Sequence, residues 1–328
     1  MSQIDEQEVE RHREACEALR DRIADRFLGA EEVLQQLLLC LLAGGNALIE
    51  GAPGLGKTTL VRAVAAALGM DFRRVQFTPD LMPADILGAR LLEEDAAGGR
   101  HFRFQEGPVF THVLLADEVN RATPRTQSAL LEAMQERQVT VFGETRALPR
   151  PFFVIATQNP IEMEGTYPLP EAQLDRFLLK IDVAAPSADD LVRILSETHS
   201  APDEEPAPLL DAARVLELQR LVDSLPASTD VLRRVARLVR ATHPDADEAP
   251  DLVRRNVRHG ASPRGGQAIL LAGRAHAFLA GRLHVADEDV DAVAVPALRH
   301  RVLLGYEGEA SGVHPDELVA AALEATRR

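Results

Sequence analysis

The sequence predicts an α/β domain built around a parallel sheet, followed by a smaller domain made of helices. Two observations support the first domain: a glycine-rich loop over residues 51–58 lies between an apolar and a helical segment, and two later apolar segments end in polar residues. Buried parallel strands have this continuous apolar character, and their carboxyl ends meet at one edge of the sheet. The third observation is that only helical periodicity follows residue 186. We therefore predict an α/β domain over 1–186 and an all-α lid over 187–328.

The composition is that of a chain with two packed domains and an acidic surface. Its 328 residues exceed the usual size of one hydrophobic core, and 46% of them are hydrophobic. The formal net charge of −15 makes nucleic acid an unlikely general partner, although local basic loops are compatible with it. Cys16 and Cys40 give neither a disulfide framework nor a metal-ligand spacing. The N-terminus has no signal-peptide pattern and the apolar run over 37–45 is too short to span a bilayer, so we expect a cytoplasmic protein with no membrane span.

Two helices are predicted ahead of the first strand. Helical spacing of apolar residues covers Glu8–Phe27 and then Glu31–Leu42. Ile23, Leu28 and Gly29 lie at the end of the first helix and in the loop after it. Apolar residues at this place would either pack in the core or form one wall of a ligand pocket, and their pattern leaves both open.

The loop over residues 51–58 fits the phosphate-binding pattern G-x-x-x-x-G-K-[ST] without a mismatch. It lies between a predicted strand, Asn46–Glu50, and a predicted helix, Thr58–Leu68. In such a loop the backbone N–H groups and the helix dipole together bind an anion. Lys57 would contact the β- and γ-phosphates of a nucleoside triphosphate, and the Thr58 hydroxyl would bind Mg²⁺. The predicted binding residues of the loop are Gly51, Ala52, Pro53, Gly54, Leu55, Gly56, Lys57, Thr58 and Thr59.

Lysine usage favours a bound ligand over an empty glycine-rich turn. Among 36 lysine and arginine residues, only Lys57 and Lys180 are lysine. The loop has therefore kept the compact ammonium group, which the planar arginine side chain does not replace. We predict a site for ATP and Mg²⁺, with Ile23, Leu28 and Gly29 against the adenine if they form the pocket wall.

Two further predicted strands end in residues that suit phosphoryl transfer. Val113–Glu118 ends in Asp117 and Glu118, and Phe152–Ala156 is followed by Asn159. Asp117 would hold Mg²⁺ through water, and Glu118 would polarise the attacking water. Asn159 would bond that water or the γ-phosphate. Exposed strand ends and an Asn-Pro turn look the same in isolation, but their order after a phosphate loop favours the functional interpretation.

Two hairpins interrupt the alternation of strands and helices. The first has arms near Leu87–Arg90 and His101–Phe104 around a glycine-containing tip. The second has arms over Val139–Phe142 and Thr145–Leu148. A helix over Thr126–Arg137 separates the two hairpins.

The lid contains one arginine that we predict to bind phosphate. Arg264 lies in the first turn of a helix that begins at Ser262 and Pro263. A cation there opposes the helix dipole at a cost of about 0.3–1 kcal/mol, which a bound phosphate would reverse. Because other arginines cluster nearby, a solvated basic surface is the alternative. We favour a γ-phosphate sensor. The predicted lid helices are Ala188–Thr198, Ala212–Leu225, Thr229–Thr242, Pro263–Ala280, Asp287–His300 and Pro315–Thr326.

The order of these parts resembles an AAA+ ATPase: phosphate loop, Asp-Glu strand, Asn-tipped strand, arginine and helical lid. The chain from about Ile23 onward is similar to the MoxR family in particular. The segments that carry this resemblance are Leu114–Ala122, Thr126–Thr140, Ala156–Pro160, Gly165–Phe177 and Ala261–Arg264.

The resemblance implies more than the spacing does. MoxR-like proteins form rings, usually hexameric, act like chaperones on other complexes, sometimes by metal insertion, and often work with a protein that carries a von Willebrand A domain. In that family the residue corresponding to Arg176 is an arginine finger for the γ-phosphate of the neighbouring subunit. An ordinary ion pair with Asp175 or Glu171 is the alternative for this residue. The two hairpins would face the pore of the ring.

We therefore favour ATP hydrolysis between subunits by a MoxR-type chaperone. The predicted catalytic residues are Lys57, Glu118, Asn159, Arg176 and Arg264. Three alternatives remain open: a DNA-directed motor, a nucleotide switch with negligible turnover, and the ATPase subunit of a metal-chelatase complex. The motor hypothesis rests on arginines on or near the hairpins, namely Arg100, Arg103, Arg146 and Arg150.

Overall fold

The computed structural model describes residues 6–24, 31–51, 56–94, 99–159, 166–184, 187–197 and 208–327. The strands in chain order are β1 (Ala47–Gly51), β2 (Phe72–Gln76), β3 (Gly88–Glu94), β4 (Arg100–Glu106), β5 (Val113–Asp117), β6 (Gln138–Val141), β7 (Glu144–Ala147), β8 (Phe153–Gln158), β9 (Leu179–Val183), β10 (Val257–His259) and β11 (Leu303–Leu304). The helices are α1 (Glu6–Ala24), α2 (Glu31–Leu42), α3 (Lys57–Ala67), α4 (Pro83–Leu87), α5 (Pro124–Glu136), α6 (Glu171–Leu174), α7 (Ala188–Glu197), α8 (Ala212–Ser224), α9 (Thr229–Ala241), α10 (Asp251–Asn256), α11 (Pro263–Leu279), α12 (Asp287–Leu298), α13 (Tyr306–Ser311) and α14 (Pro315–Ala325).

The centre of the first domain is a parallel sheet with the strand order β2-β5-β8-β1-β9. Every side chain of Val113–Ala116 in β5 is fully buried, and β8 is buried from Phe153 to Thr157. Such two-sided burial explains the continuous apolar segments in the sequence. The predicted parallel sheet is confirmed. The edge strand β9 was missing from the prediction.

This sheet has one edge formed by the carboxyl ends of its strands and one formed by their amino ends, and these two edges are chemically different. The loop that follows Gly51, the pair Asp117 and Glu118, and Asn159 all lie at the carboxyl ends of their strands. Arg176 precedes β9, and the N–H of Leu178 donates to the carbonyl of Asn46, ahead of β1. Arg176 therefore lies at the opposite edge, a strand length of about 16 Å away, because five extended residues each rise about 3.3 Å.

The helical domain shares a hydrophobic core with one face of the sheet. One continuous cluster of buried residues joins Leu37 of α2 and Ile155 of β8 to Ile269 of α11 and Leu298 of α12. The other face of the sheet has its own cluster, to which α5 contributes Leu130. The lid therefore packs on the α/β domain. It also contains the small antiparallel sheet β10–β11, which is too short to leave a periodic signal in the sequence.

A buried arginine strengthens this contact between the domains. Arg301 donates from Nε to Asp175 Oδ1 at 2.7 Å, and its other nitrogens donate to the carbonyls of Asp175 (3.1 Å), Phe177 (2.6 Å) and Leu178 (3.1 Å). Burial lowers the pKa of Arg301, and the neighbouring Asp175 carboxylate opposes that shift. Closer to solvent, Arg299 pairs with Asp182 at 2.6 Å.

The two predicted hairpins are present as β3–β4 and β6–β7, and they contact each other. Arg90 donates to Glu144 Oε1 at 2.6 Å, and the Arg146 guanidinium lies 4.4 Å from the centre of the Phe104 ring. Phe142, in the turn of the second hairpin, is 65% exposed. Over the part of the chain that the structure describes, no helix is both long and apolar enough to cross a membrane.

Candidate functional site

The phosphate loop joins β1 to α3, as the motif predicts. Gly51 ends the strand with little space around it, because a Cβ there would lie 3.0 Å from both the Cβ and the carbonyl oxygen of Val183. Gly56 has φ 72°, which glycine adopts without the steric cost of a side chain. The predicted ligands Ala52, Pro53, Gly54 and Leu55 lie outside the described residues, as do Leu28 and Gly29. Ile23 is 1% exposed and belongs to the core cluster under the sheet.

Lys57 is prepared to bind an anion. Its Nζ donates to the carbonyl of Gly51 at 2.6 Å. Burial lowers the pKa of Lys57, while Asp117, Glu118 and Glu50 partly oppose the shift through their charges. No carboxylate of the described residues lies within ion-pair distance of this ammonium. A partly desolvated cation beside a glycine loop fits the phosphates of ATP.

The two carboxylates at the end of β5 are held by hydrogen bonds from the neighbouring strands β2 and β8 and from the turn that follows β5. Asp117 Oδ1 accepts from the Thr157 hydroxyl at 2.6 Å, and its Oδ2 accepts from Arg74 Nη2 at 2.6 Å. Glu118 Oε2 accepts from Gln76 Nε2 at 2.7 Å and from Arg121 Nη1 at 3.0 Å. These partners fix the directions of both carboxylates.

Glu118 also has an unusual backbone conformation. Its φ is 54°, in the left-handed region that non-glycine residues rarely adopt. Its N–H donates to the Thr157 hydroxyl at 2.8 Å. Strained residues of this kind persist where the surrounding structure holds them, and they concentrate at functional sites. Thr157, Arg74 and Gln76 were not predicted from the sequence as partners of the two carboxylates. For Arg74 and Gln76, the available signal was the presence of polar residues in β2.

Asn159 completes this edge of the sheet. It is 5% exposed and follows β8 directly. Because β8 lies between β5 and β1, Asn159 lies between Glu118 and the loop that carries Lys57. Four predicted residues therefore meet at one edge: Lys57, Asp117, Glu118 and Asn159.

Magnesium suits the oxygen atoms at this edge. Thr58 lies in the first turn of α3, and Asp117 offers a carboxylate. Within the described ranges, no group of three or more His, Cys, Asp or Glu side chains could hold a metal ion alone. Mg²⁺ needs no such cage, because one or two protein oxygens, phosphate oxygens and water complete its coordination.

Arg176 and Arg264 lie together at the other edge. Both line a cavity of about 360 Å³, to which none of Lys57, Thr58, Asp117, Glu118 and Asn159 contributes. Arg264 is the lid arginine that the sequence predicts to sense the γ-phosphate. Its place beside Arg176 follows from the close packing of lid and α/β domain, in which Ser262 donates to Asp175 Oδ2 at 3.0 Å.

The ion pair of Arg176 with Asp175 or Glu171, which the sequence left open, is absent from the part of the chain that the structure describes. The Asp175 carboxylate is taken by Arg301 at 2.7 Å, with Arg264 at 3.9 Å, and Glu171 pairs with Arg258 at 2.8 Å. The Nε of Arg176 is buried and has no hydrogen-bond partner in that part of the chain. Neither carboxylate named in that alternative therefore pairs with Arg176.

Comparisons with known proteins agree with this architecture. A family model for the AAA ATPases associated with various cellular activities matches residues 46–179, and a model for the AAA lid domain matches 250–322. The chain is 40% identical to Chaperone MoxR1 of Mycobacterium tuberculosis over 91% of this chain and 78% of that protein. It is 34% identical to Protein MoxR of Methylorubrum extorquens over 95% of this chain and 94% of that one. A crystal structure from Cytophaga hutchinsonii, assigned as an ATPase, superposes with a TM-score of 0.90 at 35% identity, covering 98% of this chain and 96% of that chain.

Proposed function

Because the chain belongs to the MoxR family of AAA+ ATPases, we propose that it hydrolyses ATP between adjacent copies of itself and uses that cycle to assemble or activate client protein complexes. One observation carries the proposal. The residues suited to hold and hydrolyse the triphosphate lie at one edge of the sheet, and the arginines suited to neutralise it lie at the opposite edge. A single copy cannot bring the two together across a rigid sheet.

The residues of the chain have separate tasks in this reaction. Bound Mg²⁺ supplies positive charge to the phosphates. Lys57 and the loop N–H groups would hold the triphosphate, and Thr58 and Asp117 would hold the metal ion. Glu118 accepts a hydrogen bond from the attacking water, which Asn159 orients. Arg176 and Arg264 of the adjacent copy neutralise the charge that develops on the γ-phosphate.

Mixing two inactive variants tests the division of the site between copies. Lys57→Ala and Arg176→Ala are each expected to lose about 10³-fold or more of turnover, since each lacks one source of transition-state charge neutralisation. Their equimolar mixture should recover about one quarter of wild-type turnover, because that fraction of random interfaces combines two intact halves. Steady-state phosphate release measures both. Arg220→Ala, at an exposed arginine of α8 outside the cavity, is the control and should keep wild-type turnover. A mixture no more active than its components would contradict the proposal.

The same edge of the sheet leads to a prediction about metal dependence. Arg74 competes with a metal ion for Asp117 Oδ2. Without Arg74, Asp117 would repel metal-free ATP more strongly and attract Mg²⁺ more strongly. In Arg74→Gln, the ratio of the Kd for ATP without Mg²⁺ to the Kd with Mg²⁺ should therefore rise about threefold to tenfold. Titration with a fluorescent ATP analogue, with Mg²⁺ or EDTA, measures this ratio.

Arg73→Gln is the matched control for that experiment. It removes the same charge from the adjacent residue of β2, whose Nη1 donates to the carbonyl of Gly107 at 3.3 Å and not to Asp117. The ratio should stay at the wild-type value in this variant. Equal ratios in the two variants would show that Arg74 does not govern the metal site.

The client role is the finer part of the proposal. The name of Chaperone MoxR1 supports a chaperone-like activity, and the contacting hairpins offer exposed side chains such as Phe142 to a client. We propose a cytoplasmic hexameric ring, a partner with a von Willebrand A domain, and metal insertion as one form that client activation could take.

The DNA-directed motor is the weaker candidate. On the hairpins, Arg100 lies 3.5 Å from Glu94, Arg103 lies 3.5 Å from Glu93, and Arg146 lies 2.7 Å from Glu144. Three of the four arginines that would contact phosphates therefore have a carboxylate partner within the hairpins themselves, and Arg150 is the exception among the described residues.

A further inference from the structure

The cavity beside Arg176 and Arg264 contains a third accessible arginine, Arg137. Four arginines and one aspartate line this cavity, in a chain whose net charge is −15. The aspartate, Asp175, is occupied by Arg301. The cavity is therefore strongly positive: Arg264 lies 3.9 Å from the other oxygen of Asp175, and no carboxylate that lines the cavity pairs with Arg137 or Arg176 among the described residues.

The backbone holds Arg137 in a conformation that arginine does not favour. Arg137 follows α5 with φ 51°, in the left-handed region, and its N–H donates to the carbonyl of Ala133 at 3.0 Å. Glycine is the usual residue at such a helix end, because it lacks the Cβ that strains this conformation. This chain does use glycine at the end of α13, where Gly312 has φ 68°. Arginine at this position therefore adopts a conformation with a steric cost that glycine would avoid.

The guanidinium of Arg137 is fixed in place and still has free capacity. Its Nη2 donates to the carbonyl of Gly44 at 3.0 Å, which anchors the group at the rim of the cavity. A guanidinium has five N–H donors in a planar fork, so the others can contact a ligand. Burial, followed by the charge of Arg150, lowers the pKa of Arg137, and the negative charge of an arriving anion would oppose this shift.

We propose that Arg137 contacts the terminal phosphate of the nucleotide held by the adjacent copy, and that Arg137, Arg176 and Arg264 form one three-arginine cradle for it. This inference rests on the proposed hydrolysis between copies. A polyphosphate is the ligand whose charge and size suit a cavity of about 360 Å³ lined in this way. Arg137 would then be a catalytic residue of the neighbouring site, which the sequence motifs do not identify.

Variant mixing distinguishes a contact with the neighbour from a structural role. Arg137→Gln alone should lower turnover about tenfold and leave the Kd for ATP unchanged, since its own phosphate loop is intact. An equimolar mixture with Lys57→Ala should give about fivefold more turnover per chain than the mean of the two preparations assayed separately, because interfaces with two intact halves form. Arg150→Gln removes the same charge from an exposed neighbour outside the cavity and should keep wild-type turnover.

A second measurement does not depend on hydrolysis. In the Glu118→Gln background with ATP and Mg²⁺, sedimentation velocity reports how tightly copies associate. Adding Arg137→Gln should raise the protein concentration needed for half-assembly about fivefold to tenfold, and Arg137→Lys, which keeps the charge, should raise it less.

The possible failures are distinguishable. One failure is that mixing with Lys57→Ala rescues Arg176→Ala but not Arg137→Gln, and that Arg137→Gln assembles like its parent. Arg137 then has only a structural role and the inference is overturned. If neither pair is rescued, the proposed function and the inference both fail. Rescue of both pairs, with weakened assembly for Arg137→Gln, supports the three-arginine cradle.

Discussion

Glu118→Gln is expected to lower ATP turnover by about 10²–10⁴-fold, the usual contribution of a general base, while ATP binding and assembly persist. The amide has nearly the same shape as the carboxylate but cannot accept a proton from the attacking water. Gln76 and Arg121 already direct the side chain, so the substitution should change the chemistry more than the geometry. Phosphate release measures turnover, and a fluorescent ATP analogue measures binding.

Glu132→Gln is the matched control, because Glu132 is an exposed carboxylate of α5 outside this site. Turnover at the wild-type rate in Glu118→Gln would remove Glu118 from the proposed mechanism. The variant has a further use. A copy that binds ATP without hydrolysing it should hold a client that is normally released, so pull-down with Glu118→Gln in ATP is also the test of the client role.

Arg301→Met is expected to lower the free energy of unfolding by about 3–5 kcal/mol, the range for breaking a buried ion pair from one side. The substitution leaves the Asp175 carboxylate without its principal cation and four backbone carbonyls, including that of Ala297, without this donor. Methionine approximates the aliphatic length of arginine, so the expected loss comes mainly from the polar contacts. Urea denaturation measures the change as a lower midpoint.

Two further variants define the origin of that loss. Arg299→Met removes a cation whose carboxylate partners, Asp182 and Asp316, are partly exposed to water, so it should cost less than Arg301→Met. Adding Asp175→Asn to Arg301→Met should restore part of the stability, because the buried negative charge is then absent. Wild-type stability in Arg301→Met would mean that the contact between lid and α/β domain does not depend on this arginine.

The site could be predicted from the sequence wherever local pattern determines position. A glycine loop between a strand and a helix, and polar residues directly after apolar strands, specify where Lys57, Asp117, Glu118 and Asn159 lie, because parallel strands align their carboxyl ends. The predicted α/β fold with two hairpins and a helical lid is confirmed by the structure, and the family resemblance is confirmed by the comparisons with known proteins.

Contacts between distant segments could not be predicted in this way. Arg301 and Asp175 are separated by 126 positions, and no periodicity links them. The edge strand β9 pairs with only one neighbour, β1, and is buried less completely than the central strands, so its sequence lacks their continuous apolar character. The place of Arg264 depends on how the lid packs, which is a property of the whole core.

The opposite chemistry of the two sheet edges gives each molecule a polarity, because the edge suited to bind the triphosphate is not the edge that carries the arginines. In the proposed hydrolysis between copies, only a head-to-tail contact completes a site, and an open assembly leaves one half of a site without its partner at each end. A head-to-tail dimer would complete one hydrolytic site for two chains. Turnover per chain in the dimer should therefore be about half of its limit, and it should reach that limit only when the assembly closes on itself.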